Sequence, residues 1–179
     1  MNHPLATVLL VVALPIVGLL GGGRLFVELS GRQESAGRGT PLFMRFTGYS
    51  VTDVATYWSD IASGGTGLKT ERRFLELDLI FPFVYGGALC TSLLLLWTAL
   101  GRTFSPAIPV VLIALTILAD WCENLIQLRQ LELFVALGAK GLQEGWMRLA
   151  SIATIVKLTG TCLGFAAVFL LAAVCALRR

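Results

Sequence analysis

Long apolar runs alternate along this chain with shorter polar connections. Four runs stand out, at about 4–23, 74–100, 106–128 and 149–177. Each reaches the roughly 20 residues that carry a helix across about 30 Å of hydrocarbon. In lipid every backbone donor and acceptor needs a partner within the segment or its neighbours, so helices are expected. The runs are continuous and lack two-residue alternation, which excludes a porin-like barrel. The pattern predicts an all-α fold: an integral membrane four-helix bundle, one domain over residues 1–179, with a long first loop at 24–73.

The first run opens Met1-Asn2-His3-Pro4, without Lys or Arg, and no small-residue cleavage site ends it. It reads as a retained span rather than a removed signal peptide. Pro15, Gly18 and Gly21-Gly22-Gly23 make it the loosest of the four and allow close packing or a kink. The second connection, Gly101 to Ser105, is short, and Pro106 signals a helix start. Glycines punctuate the third connection from Gly138 to Gly145. Short connections make consecutive helices antiparallel neighbours.

The first loop has two parts. Gly31 to Thr40 is rich in Gly, Ser and Arg and reads as flexible. Ser50 with Asp53 forms a helix-start signature, and Val51, Val54, Ala55, Trp58 and Ile61 recur at helical spacing. A short amphipathic helix is expected at about 50–62, ended by Ser63 to Gly67. Two placements are open to it: on the membrane surface with Tyr57 and Trp58 at headgroup level, or packed on the end of the bundle.

Composition agrees with the membrane reading. Hydrophobic residues make up 56% and charged residues 14%, against about 25% charged in ordinary soluble domains. Mean hydropathy is +0.79. This excludes an ordinary cytosolic enzyme and a disordered chain. The net charge of +3 is too small to argue for nucleic acid. With four crossings, Arg102, Arg178 and Arg179 share one side and most of the remaining Lys and Arg share the other. The positive-inside rule then puts the long loop in the cytoplasm and both termini outside, while the basic C-terminal pair pulls the other way.

Cys90, Cys122, Cys162 and Cys175 all fall in apolar runs without a CxxC, and read as small buried hydrophobes rather than a disulfide, redox or haem motif. The single histidine is His3. With no histidine in any span, b-type haem ligation, intramembrane zinc hydrolysis and Ser-His proteolysis have no ligands or base to use. No metal or cofactor is expected.

Four ionisable residues inside the runs need a reason: Asp78, Asp120, Glu123 and Lys157. Insertion scales charge about 2.5–3.5 kcal/mol for one at a helix centre. On the third helix Thr116, Asp120, Glu123, Asn124 and Gln127 fall on one stripe roughly 80° wide. On the fourth, Lys157 shares a face with Ala150, Gly160, Thr161 and Gly164, and Gly160 to Gly164 is a GxxxG pattern. On the second, Asp78, Pro82, Tyr85 and Ser92 share a face. Counting turns from the long-loop side puts Asp78, Glu123 and Lys157 at similar depth, with Asp120 about one turn deeper.

Two readings of Asp78, Tyr85, Asp120, Glu123, Asn124, Gln127 and Lys157 follow. They form a self-paired cluster that fixes helix register, with Lys157 on Glu123 or Asp120. Or they line a water-accessible pocket opening to the loop, a net negative site for a proton, a cation or an amine-bearing lipid headgroup, with Trp121, Trp146 or Tyr85 offering cation–π faces.

The residues also resemble a family. Gly48-Tyr49-Ser50, Tyr57-Trp58, Glu71-Arg72-Arg73-Phe74, a stretch of the form LDLxFPxxY from Leu77 to Tyr85, one of the form DxxEN from Asp120 to Asn124, and then Lys157 are similar to a set of uncharacterised bacterial four-span membrane proteins. The resemblance covers about residues 48–160. It implies a four-span architecture in a bacterial inner membrane and puts emphasis on those residues; it implies no activity. A looser similarity, of architecture alone, is to the emopamil-binding and sigma-2-receptor group, whose isomerase histidine is missing here from every span.

The expected function is that of a non-enzymatic membrane protein. It would bind a lipid-like ligand or serve as an accessory subunit, with glycine-rich helix faces leaving room for a partner helix. The alternatives are a lipid enzyme using Asp78, Asp120 and Glu123 as acid and base with Lys157 tuning them, and proton or small-cation transport by an oligomer. Membrane lipids, and other membrane subunits, are the partners these readings imply.

Overall fold

A computed structural model describes residues 4–30, 41–63, 67–101, 105 and 107–178. The flexible reading of Gly31 to Thr40, the helix-start reading of Pro106, and His3, Arg32, Arg38, Arg102 and Arg179 lie outside the described residues. Six α-helices follow in order: α1 (Pro4–Ser30), α2 (Val51–Ala62), α3 (Gly67–Asp78), α4 (Phe81–Ala99), α5 (Ala107–Leu137) and α6 (Glu144–Leu177). Short 3-10 turns at Leu42–Met44 and Gly138–Gly141 complete the described fold, which contains no strand. Three stretches are long and apolar enough to cross a membrane: Gly67–Ala99, Ala107–Gly141 and Glu144–Leu177. In α1 the apolar stretch among described residues is shorter, Leu9–Leu25.

The second apolar run is one rod with a break. Helix α3 starts seven residues before the expected 74, and the chain turns at Leu79 and Ile80 before α4 begins. Pro82 causes this. It has no N–H to give the Asp78 carbonyl four residues back, and its ring crowds that turn. The break leaves carbonyls that the chain itself no longer fills. Asn124 Nδ2 donates to the Asp78 carbonyl at 3.3 Å, and Trp121 Nε1 to the Leu79 carbonyl at 2.8 Å. The DxxEN stretch on α5 therefore complements the break in LDLxFPxxY.

Helix α1 repeats the device. Pro15 sits inside it and cannot donate to the Val11 carbonyl. The Ser92 hydroxyl of α4 donates to that carbonyl at 2.8 Å. Neighbouring side chains that fill freed carbonyls make a proline tolerable inside an apolar helix. Ser92→Ala is expected to cost about 1–2 kcal/mol, read as a lower unfolding midpoint in detergent. An unchanged midpoint would mean that another donor reaches Val11.

Helix α5 packs most extensively on α6, and α4 on α1; α4 also packs on α5 and α6, and α1 on α6 and α3. Glycines set the closest approaches. Gly18 of α1 lies against Ala88 of α4, and Gly160 and Gly164 of α6 lie against Thr116 of α5 and Leu89 of α4. A Cβ at Gly160 would collide with the Thr116 side chain. The GxxxG face expected to leave room for a partner helix is thus filled within the chain, because these small residues let this chain's own helices meet.

Two separate apolar cores result. The inner one joins Val11, Tyr85, Leu89, Leu96, Ile113 and Val168. The other lies at the long-loop end and joins Leu42, Val54, Trp58, Leu75, Phe134 and Met147. Helix α2 contributes Val54, Tyr57, Trp58 and Ile61 to this end, all buried. Of the two placements open to α2, its apolar face is packed on the end of the bundle: Tyr57 and Trp58 face protein, and the outer face of α2 is polar. At the tip of the α5–α6 hairpin Gln130 Oε1 accepts from the Gln143 backbone N–H at 2.8 Å.

The start of α2 is a complete capping box. The Asp53 N–H donates to Ser50 Oγ at 3.2 Å, and the Ser50 N–H to Asp53 Oδ2 at 2.7 Å. Hydrogen bonds from Ser50 hold the Asp53 carboxyl below the usual carboxylate range. A carboxyl depressed in the folded state adds stability above its unfolded value and loses it as pH falls through the folded one. Acid is therefore expected to loosen this end of α2. Ser50→Ala should cost about 1 kcal/mol and flatten that acid dependence, measured by amide exchange at Val54.

Candidate functional site

The polar cluster lies between the two cores. Helix α5 supplies the stripe, since Thr116, Asp120, Glu123, Asn124 and Gln127 are all buried. Helix α6 supplies Lys157. The end of α3 supplies Asp78, and the first turns of α4 supply Tyr85.

Lys157 Nζ lies 3.0 Å from Asp120 Oδ1 and 2.5 Å from Glu123 Oε2. One ammonium thus bridges two carboxylates one turn apart on α5. The Tyr85 hydroxyl donates to Asp120 Oδ2 at 2.9 Å. Asn124 Nδ2 lies within donor reach of Asp78 Oδ2 at 3.1 Å and Asp120 Oδ1 at 3.2 Å, beside the Asp78 carbonyl. Gln127 Nε2 donates to Glu123 Oε1 at 2.9 Å. All seven residues singled out in the sequence are brought into one connected network. Their exposure runs from 0% at Glu123 and Asn124 to 7% at Lys157, so the cluster is sealed rather than open to the loop. One buried acceptor, Asn124 Oδ1, meets no hydrogen-bond partner.

Three further residues belong to the network; the sequence reading placed none of them in the cluster, although Tyr49 lies in the Gly48-Tyr49-Ser50 stretch of the resemblance. Tyr49, from the long loop, brings its phenol to 2.8 Å from Gln127 Nε2, which donates to it, and shares a 3.4 Å hydrogen bond with Thr154 of α6. Its backbone N–H donates to Ser151 Oγ at 2.8 Å. Thr154 lies one turn before Lys157 and was legible from helical spacing, whereas Thr161, placed on that face, is only half-buried. Tyr49 carried no periodic signal, because it sits in irregular chain. Burial, and then the Glu123 carboxylate, push its phenol above the usual tyrosine range, so it stays a neutral hydroxyl.

Other expectations are redistributed. Trp146 is exposed near the start of α6. Trp121 packs edge-on to Phe83 at 4.8 Å, and Tyr85 tilts against Phe81 at 5.3 Å. Among the cysteines Cys175 is buried, Cys90 and Cys122 are half-buried, and Cys162 is exposed; all four are free thiols. A fourth buried acid, Glu71 of α3, accepts from the Tyr57 hydroxyl at 3.3 Å beneath α2. The sequence reading had Glu71 within the long first loop at 24–73. Among the described residues no group of three or more His, Cys, Asp or Glu could hold a metal ion.

Chemically, one ammonium is shared between two carboxylates, which it only partly offsets, and the Asn124 and Gln127 amides bond further carboxylate oxygens. Compared with protein families, with curated proteins and with solved structures, the chain finds no match, so the site is read from its own residues.

Proposed function

We propose that this chain is a four-span, non-enzymatic component of a bacterial inner membrane, an accessory subunit that presents a helical cap on its long-loop side. The observation that carries the reading is the position of the self-paired cluster between the inner core and the cap core. Removing one partner of a buried charge pair is strongly destabilising, and such pairs are best attested as fixing register. Here the pair holds α4, α5 and α6 in one register, while Tyr49 ties the loop to it.

Helix lengths support the cap. At 1.5 Å per residue, α5 and α6 run about 46 and 51 Å, well beyond about 30 Å of hydrocarbon. Exposed ion pairs stand on this end, Arg72 with Glu76 at 2.8 Å and Arg129 with Glu132 at 3.1 Å. Below them Ile80, Phe83, Leu118, Leu125 and Val156 face outward, as lipid-facing residues would. The likeness of the LDLxFPxxY, DxxEN and later Lys pattern to bacterial four-span proteins belongs to this proposal.

Purification in mild detergent with cross-linking tests it. A stoichiometric membrane partner, lost when the cap is undocked by Trp58→Ala, is the expected result. A solitary monomer, unaltered by cross-linker, would count against it. Reporters fused at both ends and a cysteine at Ser105 should lie on one side of the membrane, and a cysteine at Lys140 on the other.

A second reading keeps one observation of its own: three carboxylates face one ammonium. That imbalance favours acid–base chemistry on a lipid. It predicts that Glu123→Gln folds normally yet alters the lipids of cells that make it, whereas the accessory reading predicts a loss of stability.

A further inference from the structure

Above the Lys157–Glu123 pair the polar network does not stop. Gln127 Nε2 reaches both Glu123 Oε1 and the Tyr49 phenol. Thr154 stands beside the same phenol, and Ser151, one turn nearer the cap, holds the Tyr49 backbone. A polar track therefore rises from the buried ammonium toward the loop side, and the Tyr49 ring sits across it.

Tyr49 differs from the other members in how it is held. It lies in irregular chain between the buried Leu42 and the cap of α2 at Ser50. Gly48 precedes it at φ 77°, a left-handed conformation that other residues rarely adopt, and a Cβ there would collide with Ser151. Met44 and Phe46 are 54% and 59% exposed, while Phe43 packs on Phe74 and Arg45 pairs with Asp53, so the strap is held at alternate residues rather than packed throughout. Withdrawing the ring would leave the Gln127 amide and the Thr154 hydroxyl able to bond water instead, and water-mediated bonds are nearly as good as direct ones.

We propose that Tyr49 is a removable plug: the strap from Leu42 to Ser50 closes a polar path to the Lys157–Glu123 pair, and its withdrawal admits water to that pair. The plug adds a conformational device to the accessory role and does not depend on it. Its only link to the membrane reading is that the path opens on the loop side.

The test uses the full chain in lipid vesicles, with the four native cysteines replaced and a single probe, Thr154→Cys. The reagent is a membrane-impermeant trimethylammonium thiosulfonate, present on both sides. With Tyr49 in place the probe should react slowly. Tyr49→Ala should raise the rate at least about tenfold, as expected when a local opening replaces a sealed contact. Gly48→Ala, which strains the strap and keeps the ring, should raise it too and serves if Tyr49→Ala fails to fold. Equal rates in parent and variants, whether fast or slow, would overturn the plug. A second probe, Leu118→Cys, stays unreactive throughout if α5 crosses lipid; its reaction would overturn the spanning reading instead.

Discussion

Lys157→Met is expected to destabilise the protein by about 3–5 kcal/mol, the usual cost of leaving a buried charge without its partner. The residue is 7% exposed and is the bridge between Asp120 and Glu123. Methionine fills similar volume, so the loss is electrostatic rather than steric. The control is a charge-balanced variant, Lys157→Met with Asp120→Asn and Glu123→Gln. Well-packed neutral replacements of a buried ion pair are often neutral or stabilising. The triple variant should therefore recover most of the loss. Helical circular dichroism during thermal unfolding in detergent reads both. A Lys157→Met protein as stable as its parent would mean the carboxylates do not depend on this ammonium.

Trp58→Ala should cost a similar amount, about 3–5 kcal/mol, for a different reason: a large buried ring leaves a cavity. Trp58 is 0% exposed and packs edge-on to Phe134 of α5, centroids 5.5 Å apart. Its indole Nε1 has no hydrogen-bond partner, so no polar bond is lost with it. Trp58→Phe should accordingly cost far less than Trp58→Ala. The damage should be local, because the cap core is separate from the inner core. Limited proteolysis should cut within 41–63 much faster in Trp58→Ala, while α4, α5 and α6 stay protected. Cleavage spread evenly through the long helices would show that the two cores unfold as one.

Much of the site was legible because its signals are local. A charged or amide side chain on an apolar helix must turn inward, and the i, i+3, i+4 spacing on α5 gave the stripe from Thr116 to Gln127. Lys157 and Asp78 followed from depth counted in turns. Tyr49 did not, since irregular chain has no period from which a direction can be read. Glu71 was left in the long loop because hydropathy averages over a window and does not see α2 folding over it. The glycines of α6 were read as room for a partner, yet α4 and α5 occupy that room.

The sequence by itself determined where the long apolar helices form and set Pro15 and Pro82 inside two of them. Hydropathy and periodicity act over a few turns, Pro82 and Pro15 remove donors wherever the helix lies, and the Ser50–Asp53 box closes within four residues. The tertiary structure alone decided which groups answer those breaks and charges. Ser92 meets Val11, Asn124 meets Asp78 and Tyr49 meets Gln127 across 81, 46 and 78 residues of chain. Such pairings depend on the rotation and depth of each helix against the others, which packing sets once the whole chain has assembled.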